Sequence, residues 1–307
     1  MKISALVLLL LSHVAFSQNF ETKDIQINDL IYGTLYSPKN IESPKLAIIV
    51  AGSGLTDRNG NAQNQGLKTD MYKLLAEALS EDMAVFSYDK SVIHLLKTGK
   101  IAENIPTFIS LVDDLNAVVQ YFRQKDYKHI TLIGHSEGAL LSTLAAQKDA
   151  DALVSLSGAG QSIDLILFEQ LKKQLPMLEG EIINILTRLK QKEVFDVENQ
   201  MLKNVFLKHN QPYIIEWMQY DPQEEIKKVS KPILIINGTK DIQVSNYQAE
   251  LLKSTKADAN LCLLPNMTHT LKNISNDNEQ MKSYTDNSFP IANDLVECLK
   301  DFLFNQD

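Results

Sequence analysis

Six short, strand-like apolar runs, at 46–50, 84–88, 130–133, 152–156, 233–236 and 260–264, alternate with longer stretches whose apolar residues recur at helical spacing. Parallel strands need long crossovers, and helices are the usual ones, so this alternation predicts an α/β fold: a mainly parallel sheet with helices on both faces. Before it, 24–27 and 31–36 are joined by a polar turn and read as an antiparallel hairpin leading into the sheet. Helices are expected at 71–80, 106–124, 136–147, 247–253 and 290–304, the last with Pro290 near its first turn. Between the fourth and fifth runs lie about seventy residues with no strand signal, rich in Leu, Ile, Lys and Glu. Unstructured loops of that length are uncommon, so 162–220 is expected to form a cap of helices, an insertion at about 160–225 broken by Pro176, Gly180 and Pro212. It leaves and returns at the carboxyl ends of strands, where open α/β sheets bind ligands.

The chain has 307 residues, of which 44% are hydrophobic, enough for one large domain or two small ones. Its formal net charge of −8 provides no basic field for nucleic acid or an anionic membrane surface. Met1-Lys2 precede a mostly apolar run at 3–16, and Ala15-Phe16-Ser17 supply small residues before Gln18. This reads as a signal peptide, 1–17, cut after Ser17, with an exported (periplasmic or secreted) soluble domain at 18–307 and no stable membrane insertion afterwards. As an anchor the run is short of the roughly 20 apolar residues a spanning helix needs. Three Asn-x-Ser/Thr triplets begin at Asn237, Asn266 and Asn273; two adjoin the expected catalytic residues, where a glycan would obstruct access, which favours a bacterial source. Cys262 and Cys298, the only cysteines, sit in apolar runs and read first as buried small apolar residues, although an oxidising compartment would allow them to pair. No metal-binding spacing and no phosphate-cradling glycine motif occurs, so no cofactor is expected.

The strongest local signal is the strand-like Ile130-Thr131-Leu132-Ile133, then Gly134-His135-Ser136-Glu137-Gly138, then a helical pattern. A serine nucleophile on a tight strand-to-helix turn needs small residues at both flanks because the backbone is strained and closely packed. The turn would raise the Ser136 hydroxyl above the sheet and offer the Glu137 N–H, at a helix start, to a developing oxyanion. With this motif in this context, the chain resembles the α/β-hydrolase superfamily, close to its esterase-like and dienelactone-hydrolase-like branches, over nearly its whole length.

That resemblance implies further residues. The family keeps its acid after the strand following the cap, which is where Asp241 stands after 232–240; Asp258 precedes the next strand and is at the wrong end of the sheet. The family keeps its general base in the loop after the last strand, which puts His269 there. The order Ser136, Asp241, His269 matches the family's. His135 is expected to point away from the reaction, and His94, His129 and His209 to have no role in the triad. The second oxyanion donor is assigned to the Ser53 N–H in Ala51-Gly52-Ser53-Gly54, where Ala51 replaces a histidine common in relatives. Arg58 reads as a structural residue pairing with Asp57 or Asp89. Ser87-Tyr88-Asp89-Lys90-Ser91 departs from the relatives' Asp-Lys-Arg-Gly, leaving no role to assign there. The expected chemistry is cleavage of a small-molecule carboxylic ester through an acyl-enzyme; the alternatives are a serine peptidase or an acyl thioesterase, or a non-catalytic ligand-binding protein of the same fold. The cap residues Leu165-Ile166-Leu167-Phe168, Ile214-Ile215 and Trp217 either line an acyl pocket or bury themselves against the core.

Overall fold

The computed structural model describes residues 19–39, 45–101 and 105–305. The signal-peptide assignment, 1–17, lies outside the described residues. Ten strands form: β1 (Phe20–Gln26), β2 (Tyr32–Pro38), β3 (Lys45–Val50), β4 (Asn61–Ala62), β5 (Leu67–Lys68), β6 (Ala84–Asp89), β7 (His129–His135), β8 (Ala152–Leu156), β9 (Ile233–Gly238) and β10 (Asn260–Leu264). Eight make one sheet in the order β1-β2-β6-β3-β7-β8-β9-β10, and β4 and β5 form a small separate ribbon. The β1–β2 hairpin adds to β6 antiparallel, and every other pairing in the large sheet is parallel. This is the mainly parallel α/β-hydrolase sheet expected from the alternation of strand and helix signals.

Period-two side-chain alternation sends each strand's residues into two cores. In β3, Leu46, Ile48 and Val50 enter one and Ala47 and Ile49 the other; in β9, Ile233 and Ile235 part from Leu234 and Ile236 in the same way. Helices α1 (Met71–Leu79) and α12 (Asn293–Phe304) cover one face, and α3 (Phe108–Arg123), α4 (Glu137–Ala146), α9 (Pro222–Lys227) and α10 (Asn246–Thr255) the other. Parallel strands buried on both sides read as continuous apolar runs, which made them conspicuous in the sequence.

Two helix starts fall later than the sequence signals placed them. The Thr107 hydroxyl accepts the Ser110 N–H at 3.2 Å, so Thr107 caps α3 and Pro106 stays outside it. Ile291 pairs with Lys272 and the Ala292 N–H is taken by the Leu271 carbonyl at 2.9 Å, so α12 begins only after Pro290. Two short helices, α2 (Ser91–Lys97) and α11 (Lys282–Thr285), form where no helical signal was read.

The insert between β8 and β9 is helical, as expected: α5 (Ile163–Gln174), α6 (Glu179–Lys190), α7 (Gln200–Lys203) and α8 (Gln211–Trp217). They share a core of their own that includes Ile166, Ile185, Leu189, Leu202 and Phe206. Pro176 and Pro212 mark breaks, whereas Gly180 lies within the first turn of α6 and interrupts nothing. The insert rests on the main body through α8. Trp217 stacks on Phe108 with ring centroids 5.4 Å apart, and Glu216 accepts the Ile109 N–H at 3.0 Å.

The cysteines correct the sequence reading. Cys262 of β10 and Cys298 of α12 are both half-buried and joined in a disulfide, because α12 crosses β10 on one face of the sheet. Their separation of 36 residues gave no hint of that contact. Closing a loop of that length restricts the unfolded chain by about 3–4 kcal/mol. The Cys262→Ala/Cys298→Ala variant is expected to lose that much in urea unfolding, and reductant to shift the wild-type curve onto the variant's. An unmoved midpoint would refute the link.

Candidate active site

Ser136 is the single residue between β7 and α4, at φ 55°, ψ −119°, a backbone region that L-residues rarely adopt. Its N–H is fixed by the Leu156 carbonyl at 2.9 Å. A Cβ on Gly134 would fall on the Gly138 carbonyl, and one on Gly138 would fall on the Val50 carbonyl. The flanking glycines are thus required by contact: α4 presses on β7 and on the end of β3. The half-buried Ser136 lies where the sheet order splits around β3, the switch point at which such sheets bind ligands.

The structure brings Asp241 and His269 together. Thr239 and Lys240 donate to the Leu264 and Met267 carbonyls at 2.9 and 3.0 Å, tying the loop after β9 to the loop after β10. Asp241 Oδ1 accepts the Gln243 and Val244 N–H groups at 2.8 and 2.9 Å, and Oδ2 accepts from His269 Nδ1 at 2.7 Å. Burial disfavours the charged carboxylate, but the His269 ring and these N–H donors outweigh it and hold Asp241 below the usual 3.8. With the Nδ1 proton committed to the carboxylate, Nε2 of His269 is left as the basic nitrogen. Asp258, which the sequence reading set aside, is a surface residue at the start of β10. Asn237, the first of the three glycosylation triplets, is fully buried, with its side-chain amide donating to the Val244 and Ser245 carbonyls, so it is no acceptor for a glycan.

Beneath these groups runs a hydrogen-bond chain that the sequence did not reveal. The Gly52 N–H donates to Tyr72 Oη at 2.9 Å, Tyr72 Oη lies 2.8 Å from His135 Nδ1, and His135 Nε2 lies 2.9 Å from the His269 carbonyl. A carbonyl can only accept, so Nε2 carries the proton, Nδ1 accepts, and the tyrosine hydroxyl donates. Both ring nitrogens of His135 are thus engaged, and the side chain links the loop after β3, through Tyr72, to the loop bearing His269. Burial, and then the neighbouring His269, push its pKa down to about 3.

A folded-state pKa below the unfolded 6.5 means that the stability held by neutral His135 is complete above about pH 6.5 and declines as pH falls towards 3. The stability gap between wild type and His135→Gln is therefore expected to shrink by about 3 kcal/mol between pH 7 and pH 4 in urea unfolding. A gap independent of pH would contradict this.

The S33 serine aminopeptidase family model matches residues 68–276, more than half of the chain. The chain belongs to this α/β-hydrolase family. It is also 27% identical over 259 residues to esterase EstD of Thermotoga maritima, a match covering 80% of this chain but only 58% of that relative's length. Est1E from Butyrivibrio proteoclasticus, solved with ferulic acid bound, matches 92% of the chain and 98% of its own length at a TM-score of 0.59 and 19% identity. The Pyrococcus furiosus esterase Pf2001 matches over 92% of each chain at a TM-score of 0.52 and 16% identity. At these identities the two structures share the fold with this S33 chain.

The loop expected to supply the second oxyanion donor follows β3. A Cβ on Gly52 would stand 3.2 Å from the Ser136 Cβ, so Gly52 is the close-approach position. The Gly52 N–H is already taken by Tyr72, whereas the Ser53 and Glu137 N–H groups make no hydrogen bond to other described residues. Arg58 has the structural role expected of it: its backbone N–H and guanidinium both bind Asp89, at 2.8 and 3.1 Å, and it reaches Asp24 rather than Asp57.

Sequence reasoning missed Lys90, Tyr72 and Tyr213. Lys90 and the side chain of Glu137 are almost wholly buried, 2.8 Å apart, and Lys90 Nζ also donates to the Gly52 carbonyl at 2.7 Å. Beside them opens a cavity of about 930 Å³, lined by Ser53, Glu137, Val92, Leu111, Ile214 and Trp217 among others. Of the cap residues, Ile214 and Trp217 face this cavity, whereas Ile166 is spent on the insert's own core. His209, given no role from sequence, also lines it. Among the described residues no cluster of His, Cys, Asp or Glu could hold a metal ion, and no helix is long and apolar enough to cross a membrane.

Proposed function

We propose that the chain hydrolyses carboxylic esters bearing a sizeable apolar group, with Ser136 as nucleophile, His269 as general base and then acid, and Asp241 as the residue that orients it. The observation that carries this reading is the 2.7 Å bond between Asp241 and His269 Nδ1, on loops that converge on the strained turn holding Ser136. His269 Nε2 takes the Ser136 proton as Oγ attacks the carbonyl, then delivers it to the leaving alcohol. Water, activated by the same nitrogen, releases the acid from the acyl-enzyme. The Ser53 and Glu137 N–H groups face the oxyanion, each worth about 3–4 kcal/mol in the transition state where such donors have been removed.

The name of EstD and the fold shared with Est1E favour an ester, and the apolar cavity suits a medium-chain or aromatic acyl group such as the ferulic acid bound by Est1E. The S33 family description favours a second reading, a peptidase releasing amino-terminal residues. Hydrolysis of a p-nitrophenyl ester series by the purified chain, beside aminoacyl-p-nitroanilides, separates them. Ester turnover rising with acyl length supports the proposal; anilide turnover alone replaces it with the peptidase. Failure to hydrolyse either, with Ser136 unlabelled by a phosphonate, removes the catalytic reading in favour of a binding protein.

Export completes the proposal. The apolar run at 3–16 and the disulfide both suit an oxidising compartment. A mature amino terminus at Gln18 in the extracytoplasmic fraction is the expected result, and an intact chain in the cytoplasm would reject it.

A further inference from the structure

Lys90 stands at the end of β6 with 2% of its side chain exposed, as does its partner Glu137. Burying a lysine and a glutamate is expensive, and a well-packed apolar pair of the same volume is often as stable or more so. Fold stability is therefore a weak account of the pair, and its contacts point elsewhere. Besides Glu137 Oε1, Lys90 Nζ holds the carbonyl of Gly52 at 2.7 Å. That carbonyl belongs to the same planar trans peptide as the Ser53 N–H, so the two point in opposite directions. Gripping the oxygen fixes where the N–H aims, and a full positive charge on the oxygen polarises the amide into a stronger donor. On the other side of Gly52, its own N–H is fastened to Tyr72. The second partner of the ammonium, Glu137, carries the other proposed oxyanion donor on its own backbone.

We propose that the Lys90–Glu137 ion pair is a positioning device for the oxyanion hole, a strut that joins the loop after β3 to the start of α4 and sets the Ser53 and Glu137 N–H groups at the spacing an oxyanion requires. The inference rests on the catalytic reading given under Proposed function. Tyr213 of α8 borders the same cavity as Lys90 and Glu137, and its ring packs between Phe108 and Trp217. Burial, and then the charge on Glu137, push the Tyr213 hydroxyl well above its usual value of 10, so it stays neutral beside that carboxylate. The role assigned to Lys90 is positioning, exerted through the Gly52–Ser53 peptide.

Lys90→Met alone would leave Glu137 buried without its countercharge and risks unfolding, so the decisive variant is Lys90→Met/Glu137→Gln, which removes both charges and keeps volume and the Glu137 N–H. The expected result is a folded protein whose kcat for its best p-nitrophenyl ester falls roughly 10- to 100-fold while KM stays within about 3-fold. Affinity for an alkylboronic acid, which forms a tetrahedral adduct on Ser136, should fall by the same factor as kcat. A kcat equal to wild type, or a loss confined to KM with boronate affinity intact, would overturn the proposal. If the double variant fails to fold, Glu137→Gln alone is read the same way, with the same kcat-only loss expected. If the wild type is labelled by a phosphonate yet turns over no ester, the labelling rate replaces kcat and must fall by the same ratio. An unlabelled wild type refutes the catalytic reading itself, which is a separate result.

Discussion

Replacing Ser136 by alanine is expected to lower kcat by roughly 10⁶-fold, the scale of loss when a nucleophile acting in concert with its base is removed, while the chain remains folded. The alanine keeps the φ of 55° that the turn imposes, so stability should change little. Glycine at the same position gives the sharper pair of readouts. It abolishes turnover equally, but it occupies the left-handed region without a Cβ clash and should raise the stability of the protein by about 1–2 kcal/mol. Thermal unfolding and p-nitrophenyl ester kinetics on the two variants check both halves. A Ser136→Ala protein that turns over ester at the wild-type rate would remove the nucleophile assignment, and a less stable Ser136→Gly would show that the turn is not strained.

Asp241→Asn is expected to lower kcat by roughly 10⁴-fold with the fold preserved. Asparagine can still accept the Gln243 and Val244 N–H groups through its carbonyl oxygen, so the loop after β9 keeps its shape. The position now held by Oδ2 then carries an NH₂ donor facing His269 Nδ1, 2.7 Å away in the wild type. Two donors cannot share that contact. The imidazole therefore protonates Nε2 instead, and the nitrogen that should accept the serine proton is blocked. A loss of less than about tenfold in kcat would place the orienting acid elsewhere.

Much of this was legible in the sequence for reasons that can be named. Parallel strands buried on both faces produce uninterrupted apolar runs, and all six of those runs became strands within two residues of where they were read. The elbow was legible because close contact between β7, β3 and α4 permits only glycine at 134 and 138, and that requirement is written in the residue type. Asp241 and His269 were found from their addresses after β9 and β10, and the tied loops explain why those addresses meet. What the sequence hid were contacts between segments far apart in the chain. Lys90 and Glu137, 47 positions apart, look like two ordinary surface charges until α4 docks against the end of β6. Tyr72 and His135, and Cys262 and Cys298, were hidden in the same way, because a side chain's partner across the sheet leaves no local pattern. The three-residue shift at the start of α12 has a similar origin: the tertiary pairing of Ile291 with Lys272 outweighed the local preference of Pro290 for a first turn.

The strand order has a consequence for how such a chain comes to life. Ser136 directly follows β7, in the middle of the sheet, whereas His269 follows β10, the strand at the far edge and later in the chain than every other described strand. Under the proposed mechanism, a chain emerging amino terminus first can complete β1 to β8 and hold a finished, strained elbow with no base beside it. The base arrives only when β9 and then β10 add to that edge, a late and long-range step. On that mechanism turnover would report that β10 has docked, and a chain misfolded at that edge would keep its serine without arming it.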